Sequence, residues 1–203
     1  MLGVGFLAAA SALAGEQRAI YRAGGADARL FDQYDNDGYA LEVRAGKPGE
    51  ATLTVRVSDG PLESSAPFPP RGRRDASLVA APDRDQFASR LTSGSRTQQE
   101  AVARILVGVA AEVRYDSDRL RLQDPAAVFA SRRAYCVGFA ELAVDLLRRS
   151  GIPARTVQGI LRTDPGADRY EAAISGVYHR WIEVFYPDRG YVFSDPMRSI
   201  NGV

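Results

Sequence analysis

Apolar and polar residues alternate with a period of two in a stretch near the N-terminus, on both sides of the turn sequence AGKPGE. The alternating apolar positions are Tyr39, Leu41, Val43, Leu53, Val55 and Val57. This pattern around a glycine- and proline-containing turn predicts a β-hairpin. We place the hairpin in a small β-rich segment over residues 15–60, which is short enough to depend on a larger neighbour for its stability.

A polar stretch then separates this segment from a second region with helical spacing. Residues 61–76 are rich in proline, serine, glycine and arginine, and we interpret them as a linker. Beyond it, Thr97 and Glu100 form a capping-box pattern that predicts a helix up to about Val113. Residues 77–203 are therefore predicted to form the main domain.

The most regular helical pattern begins at Cys136. One apolar face repeats through the next three turns, and its members are Val137, Ala140, Leu142, Ala143, Leu146 and Leu147. Gly151 and Pro153 follow as residues that end helices. Residues 155–161 then predict a central strand, and HRWIEVFYP and YVFSDP predict a hairpin closed by the turn PDRG.

The chain has a single cysteine and a single histidine, and both fall at informative places in this pattern. Cys136 opens a helix, where the helix dipole favours a thiolate. His179 begins one strand of the hairpin and Asp195 ends the other. Thiol, imidazole and carboxylate fill the three roles of cysteine acyl-transfer chemistry: nucleophile, base and orienting group.

Each of these residues also has a simpler interpretation when it is considered alone. Cys136 is then a small buried apolar residue, His179 a hydrogen-bonded strand residue, and Asp195 the end of a strand before a turn. The sixteen-residue separation of His179 and Asp195 brings their side chains face to face if the hairpin is centred near Pro187. A centre between Asp188 and Arg189 sends Asp195 to the other face unless Gly190 forms a bulge.

Several ordered motifs resemble the core of the transglutaminase-like superfamily, in particular its bacterial domains. They are the cysteine at a helix start, GIPAR-x-V-x-G after that helix, H-x-W-x-E-V, and an aromatic strand ending in Asp-Pro. The resemblance covers about residues 97–197, with Tyr191 where a tryptophan is common. It implies a papain-like α+β fold, with the nucleophile at the start of a helix packed on an antiparallel sheet. It also implies Cys136 as nucleophile, His179 as base and Asp195 as orienting acid.

The function that this resemblance implies is acyl transfer from protein or peptide amides through a thioester. Hydrolysis, deamidation and transamidation all follow from such an intermediate, and the sequence leaves the choice open, together with the substrate and the oligomeric state. The alternative from a different class is a catalytically silent protein-binding module that keeps the three residues for packing. The nucleophilicity of Cys136 distinguishes these two interpretations.

Composition excludes several other classes of function. A net charge of +1 gives no electrostatic basis for binding nucleic acid, and no glycine-rich phosphate loop is present. One cysteine cannot form an intramolecular disulfide. One cysteine with one histidine makes a structural zinc site implausible, so we expect neither metal nor cofactor.

The first residues, 1–14, carry a short apolar run that ends in Ala12-Leu13-Ala14. A small residue on each side of one position is typical of a signal-peptidase site, and the run is too short to span a bilayer. We therefore expect export to the periplasm or the outside of the cell. If the run is instead a buried N-terminal segment, the protein is cytoplasmic.

Overall fold

The computed structural model describes residues 11–13, 16–25, 27–36, 38–58, 63–70, 75, 77–161, 177–197 and 200–201. The chain divides into two compact units, Met1–Leu62 together with Val203, and Glu63–Gly202. The division falls at the start of the predicted linker. Both helices and antiparallel sheets are present, which confirms the α+β class expected from the sequence.

The first unit is a five-stranded antiparallel sheet in the order β1-β2-β5-β4-β3. Its strands are β1 (Ser11–Leu13), β2 (Glu16–Gly24), β3 (Tyr34–Asn36), β4 (Tyr39–Ala45) and β5 (Glu50–Ser58). The predicted hairpin is β4–β5, in which Leu41 pairs with Val55. Gly49, at φ +81°, supplies the left-handed residue that its turn requires.

The long strand β2 is not expected from the sequence, although it pairs with β5 along its full length. Its apolar residues, Ala19 to Tyr21 and Ala23, are interrupted only by Arg22, so neither a period of two nor a helical period stands out. Strand β2 therefore forms because it pairs with β5, and not because its own sequence has a strand-like alternation.

Among its described residues, the second unit combines four helices with a four-stranded sheet. Its helices are α1 (Pro82–Thr92), α2 (Gln98–Glu112), α3 (Pro125–Ser131) and α4 (Cys136–Arg149). Its strands are β6 (Arg114–Tyr115), β7 (Arg133–Ala134), β8 (Ala154–Leu161), β9 (Val177–Tyr186), β10 (Gly190–Asp195) and β11 (Ile200–Asn201). The antiparallel sheet has the order β11-β10-β9-β8, and β6 and β7 form a separate parallel pair.

Strand β8 corrects one expectation. We predicted residues 155–161 as a central strand, but β8 pairs only with β9 and lies at an edge of the described sheet. Arg155 and Gln158 are exposed, which is typical of an edge strand.

Helix α4 is the centre of the second unit, because it packs on β8 and β9 and also against the other three helices. Its predicted apolar face is completely buried at Ala140, Leu142, Ala143, Leu146 and Leu147. The helix begins at Cys136 as predicted, and Gly151, at φ +79°, follows its last turn. The core of this unit therefore holds the nucleophile candidate at one end of a fully packed helix.

Segment 63–70, part of the predicted linker, has irregular backbone and is bonded to the loop between β9 and β10. The carboxylate of Asp188 accepts hydrogen bonds from the Ser64 hydroxyl at 2.9 Å and from the Ser65 N–H at 2.8 Å. The Arg189 guanidinium donates to the carbonyl of Glu63 at 2.8 Å. These bonds fix the closed end of the hairpin that carries His179 and Asp195.

Candidate active site

The start of α4 is built from elements that come just before it in sequence. Helix α3 ends at Arg132, which takes the left-handed conformation at φ +55°, and β7 then pairs with β6. Tyr135 occupies the position before the first helical residue, Cys136, whose side chain is half-buried. The chain thus turns sharply into α4 and presents the thiol in the first turn.

His179 and Asp195 are in contact and both are buried, with 3% and 6% of their surface exposed. Nε2 of His179 lies 3.1 Å from Oδ2 of Asp195. The second carboxylate oxygen of Asp195 accepts the N–H of Met197 at 3.0 Å, which fixes the plane of the carboxylate. The structure therefore brings together the two residues that the hairpin prediction could not align.

The register of this hairpin differs from both of the alternatives considered in the sequence. Tyr186 pairs with Gly190, so the loop is Pro187–Arg189 and its centre is Asp188. Arg189 donates its N–H to the Tyr186 carbonyl and Gly190 takes φ +76°, a common form of three-residue loop. When the centre of the loop is a single residue, the side chains of His179 and Asp195 lie on the same face of the sheet. With Asp188 at the centre, Asp195 is a diagonal neighbour of His179 rather than the residue directly opposite it.

The thiol of Cys136 hydrogen-bonds to the His179 imidazole. Since Nε2 bonds to Asp195, this contact belongs to Nδ1. Burial raises the pKa of the Cys136 thiol, but the hydrogen bonds from His179 and from the N–H groups of Arg180 and Val137 lower it more. With the imidazolium charge beside it, the thiol has a pKa below its ordinary value.

The pKa of His179 moves in the opposite direction. Burial lowers it, but the hydrogen bonds to Asp195 and Cys136 and the negative charges of both partners raise it from 6.5 to about 9. Near neutral pH His179 therefore carries the imidazolium charge, which favours the thiolate form of Cys136. The arrangement can hold a thiolate–imidazolium pair, the reactive form of a catalytic cysteine.

Arg180 connects the nucleophile helix to the strand that carries His179. Its backbone N–H hydrogen-bonds to the Cys136 sulfur, while its guanidinium bonds to Glu141 of α4 at 2.8 Å. A second guanidinium nitrogen donates to Gln158 of β8 at 2.9 Å. One residue thus contacts α4, β8 and the thiol, and the sequence pattern gave no signal for it.

Residues of the motifs GIPAR and H-x-W-x-E-V contact one another around the histidine–aspartate pair. The His179 and Trp181 rings meet edge to face with centroids 4.7 Å apart. Arg155 of GIPAR donates to the fully buried Glu183 of H-x-W-x-E-V at 2.6 Å, and its guanidinium lies 4.1 Å over the Tyr191 ring. Tyr191, the departure from the usual tryptophan, therefore serves as a packing surface.

Gly159 faces His179 across β8 and β9, and a Cβ at this position would lie 2.8 Å from the Trp181 ring. The glycine is needed for that close approach. Residues 162–176, which lie between β8 and β9 in the sequence, are outside the described residues.

A helix-borne cysteine facing a histidine–aspartate pair on an antiparallel sheet defines a transglutaminase-like domain. The sequence model of the transglutaminase-like superfamily matches residues 85–196, more than half of the chain. The chain belongs to that superfamily. The match begins before residue 97, so it includes most of helix α1 as well as the motifs from which the resemblance was first drawn.

Solved structures with the same fold include the periplasmic domain of TgpA from Pseudomonas aeruginosa. Its structure aligns with a TM-score of 0.55 at 20% identity and covers 94% of this chain and 72% of that one. The same domain bound to ethylmercury gives 0.54 and 20%, with 91% and 73% covered. At this identity the likeness concerns the fold.

A curated relative is the uncharacterized protein YebA of Bacillus subtilis (strain 168). It is 32% identical over 78 residues, which are 36% of this chain and 10% of YebA. The chain thus matches about a tenth of the length of that relative.

Within the ranges that the structure describes, no helix has the length and apolar character needed to cross a bilayer. Among the same residues, no three histidine, cysteine, aspartate or glutamate side chains cluster in a way that could hold a metal ion.

Proposed function

We propose that the domain is a thiol acyl-transfer enzyme that acts on protein or peptide amides, with Cys136 as nucleophile, His179 as acid and base, and Asp195 as the orienting group. The observation that carries the proposal is the buried imidazole of His179, bonded to Asp195 at 3.1 Å on one side and to the Cys136 thiol on the other. A residue kept for packing alone does not require both partners on one imidazole.

In the acylation step, the Cys136 thiolate attacks the carbonyl carbon of the amide. The developing oxyanion is stabilised by backbone N–H groups at the start of α4, where the helix dipole adds a positive field. The His179 imidazolium then donates its Nδ1 proton to the leaving nitrogen, the carbon–nitrogen bond breaks, and ammonia or an amine departs. The product on the enzyme is a thioester, and His179 is neutral.

Neutral His179 next acts as a base toward the second substrate. It takes a proton from water, which gives a carboxylic acid, or from a primary amine, which gives a new amide bond. The attack expels the Cys136 thiolate and restores the ion pair. Asp195 holds Nε2–H throughout, so that Nδ1 is the nitrogen that exchanges protons with the substrate.

The direct test is to capture the thioester. The purified protein is mixed with a library of glutamine-containing and other peptide amides, quenched in acid, and analysed by intact-mass spectrometry. We expect an acyl adduct on Cys136 with release of ammonia or amine, and its loss in Cys136→Ser. Added hydroxylamine or a lysine analogue distinguishes hydrolysis from transamidation by trapping the acyl group. A Cys136 that forms no adduct with any amide and is also unreactive toward iodoacetamide would favour the protein-binding alternative.

We also propose that the domain works outside the cytoplasm. Its fold is that of structures described as periplasmic domains, and an N-terminal apolar run is present. Residues Ser11–Leu13 of that run form β1, and residues 1–10 lie outside the described residues. Fractionation of cells that express the gene at its native locus, followed by N-terminal sequencing, tests this. Recovery of the domain with the cytoplasmic proteins would contradict it.

A further inference from the structure

Helix α4, like α1, begins without a capping side chain of its own, whereas α2 and α3 each have one. Thr97 accepts the Glu100 N–H at the start of α2, and Asp124 accepts two N–H groups at the start of α3. At α4 the cap residue is Tyr135, which makes no side-chain cap bond, and the first turn contains no acidic residue. The N–H groups at this helix start need an acceptor from elsewhere.

That acceptor is the side-chain amide of Gln123, from the loop before α3. Its Oε1 accepts the N–H of Tyr135 at 3.1 Å and the N–H of Gly138 at 3.2 Å. The Gly138 N–H is shared with the Tyr135 carbonyl at 2.9 Å. The two N–H groups flank Cys136, one residue before it and two after it. The Nε2 of Gln123 donates to the carbonyl of Arg121 at 3.1 Å, which anchors the amide in its own loop.

The space for this amide depends on a glycine in the first turn. A Cβ at Gly138 would lie 2.5 Å from the Gln123 Oε1 and 2.7 Å from both Ala134 Cβ and Val128 Cγ2. Any side chain at this position would therefore displace the oxygen or the walls around it. The glycine costs about 1 kcal/mol of helix propensity relative to alanine, and the close approach of Gln123 explains its presence.

An uncharged acceptor matters at this place. Aspartate is a common residue at helix starts, because its charge is favourable near the positive end of the dipole. A carboxylate one turn from Cys136 would, however, repel a thiolate and disfavour its formation. A neutral amide satisfies the backbone groups without that repulsion.

We propose that Gln123 is a positioning residue of the active site: it caps α4 from a neighbouring loop and fixes the backbone on both sides of Cys136 without placing a negative charge beside the sulfur. The inference rests on the proposed role of Cys136 as nucleophile. Gln123 does not touch the reacting atoms. It acts through the helix start that orients them.

The decisive variant is Gln123→Glu, which keeps the shape and both acceptor bonds and adds one charge. The rate of Cys136 alkylation by iodoacetamide is measured against pH, and unfolding is followed by circular dichroism. We expect the pH at which the alkylation rate of Cys136 has its inflection to rise by about one unit. Below this inflection, roughly tenfold less of the protein then carries the thiolate. The unfolding midpoint should change by no more than about 4 °C, because one hydrogen bond is lost and a favourable charge–dipole contact is gained.

Gln123→Met complements this variant because it removes the acceptor without adding charge. The N–H groups on either side of Cys136 then lose their partner, and the Val137 and Arg180 donors on the sulfur lose their alignment. We expect the unfolding midpoint to fall by roughly 4–8 °C and the inflection to rise by about half a unit. A residue with a merely structural role would lower the midpoint and leave the inflection in place.

Gln86→Glu is the matched control, since it makes the same substitution on α1 next to Asp85, which bonds to Arg149 at the opposite end of α4. It should leave the inflection unchanged. If both Gln123 variants keep the parent inflection within about 0.2 unit, the proposal is overturned, and if one does not fold the other decides. A parent protein whose thiol titrates at the ordinary value would instead contradict the proposed function itself.

Discussion

The two ends of α4 differ in how their charged and polar groups are neutralised. At the C-terminal end, Arg149 is buried and its guanidinium bonds to Asp145 at 2.8 Å, to Asp85 at 3.1 Å and to the Val79 carbonyl at 3.0 Å. Arg148 donates to the carbonyl of Ala154 at 2.9 Å. Here formal charges of both signs are neutralised by direct partners, next to the negative end of the helix dipole.

At the N-terminal end the backbone groups are capped by a neutral amide, and the charges that develop belong to the thiol and the imidazole. Burial raises the pKa of the Cys136 thiol, but His179 and the N–H groups around the sulfur lower it more. We therefore expect the C-terminal end of α4 to contribute mainly to stability and the N-terminal end to the ionisation of the thiol. Substitutions at the C-terminal end should change stability with little effect on the thiol, whereas those at the N-terminal end should change the reactivity of the thiol whether or not they also change stability.

Asp195→Asn should have the largest effect on activity at the reactive end. The asparagine amide would donate to Nε2 of His179, leave the proton on Nδ1 facing the sulfur, and remove the charge that raises the pKa of His179. We expect amide turnover to fall by about 10⁴-fold, as expected when the orienting acid of such a triad is removed. Steady-state kinetics on the best substrate from the amide screen measures this, with the thermal midpoint as a check on folding. A loss of less than about tenfold would contradict the orienting role.

Arg149→Met tests the structural end. It removes the closest partner of the buried Asp145, whose remaining ion pair is with Arg84 at 3.4 Å, so the free energy of unfolding should fall by up to about 3–5 kcal/mol. Arg148→Met is the matched control and should cost much less, because Arg148 is half-buried and bonds to a carbonyl. In the folded fraction of both variants the pH profile of Cys136 alkylation should equal that of the parent. A shift of that profile in Arg149→Met would contradict the expectation that the C-terminal end of α4 affects stability and not the thiol.

Gly138→Ala changes the N-terminal end of α4, and we expect it to affect both the stability of the protein and the reactivity of Cys136. The added methyl group meets Gln123, Ala134 and Val128, and such overpacking typically costs about 1–3 kcal/mol. Because the displaced amide no longer fixes Cys136, alkylation near neutral pH should also slow severalfold. Urea unfolding and alkylation kinetics measure the two effects. An alanine that stabilises the protein, as helix propensity alone predicts, would show that the contacts relax freely.

Glu141→Gln should have the smallest effect. The pair with Arg180 is partly exposed, so its loss should change the free energy of unfolding by about 1 kcal/mol or less. Raising the salt concentration should weaken the parent pair and narrow the difference. A double-mutant cycle with Arg180→Met, in urea at low and high salt, measures the coupling. A coupling well above 1 kcal/mol would mean that this pair, rather than packing, holds β9 against α4.

Much of the second unit could be predicted from the sequence because its signals are local. The apolar face of α4, the capping residues Thr97 and Asp124, and the β9–β10 hairpin all appear within short windows. The chemistry was also visible, since a chain with one cysteine and one histidine allows few candidates.

Other features could not be predicted, either because the local sequence pattern is weak or because the partner of the residue is distant in sequence. Helix α1 has a weak apolar pattern, and only Pro82 with the acidic residues Asp83 and Asp85 marks its start. The register of the hairpin depends on Gly190 at φ +76°, a conformation that no pattern displays. Gln123 and Arg180 act through backbone groups that only the folded chain brings near them.

The measurement that tests the thiolate–imidazolium pair most directly is the rate of Cys136 alkylation between about pH 4 and 10, in the parent and in His179→Ala. In the parent, reactivity should rise through an inflection below the ordinary value of about 8.5 and show a second inflection near 9, where His179 loses its proton. His179→Ala removes the donor and the positive charge, so its single inflection should move up to the ordinary range. An ordinary titration in both folded proteins would show that Cys136 and His179 are not a reactive pair.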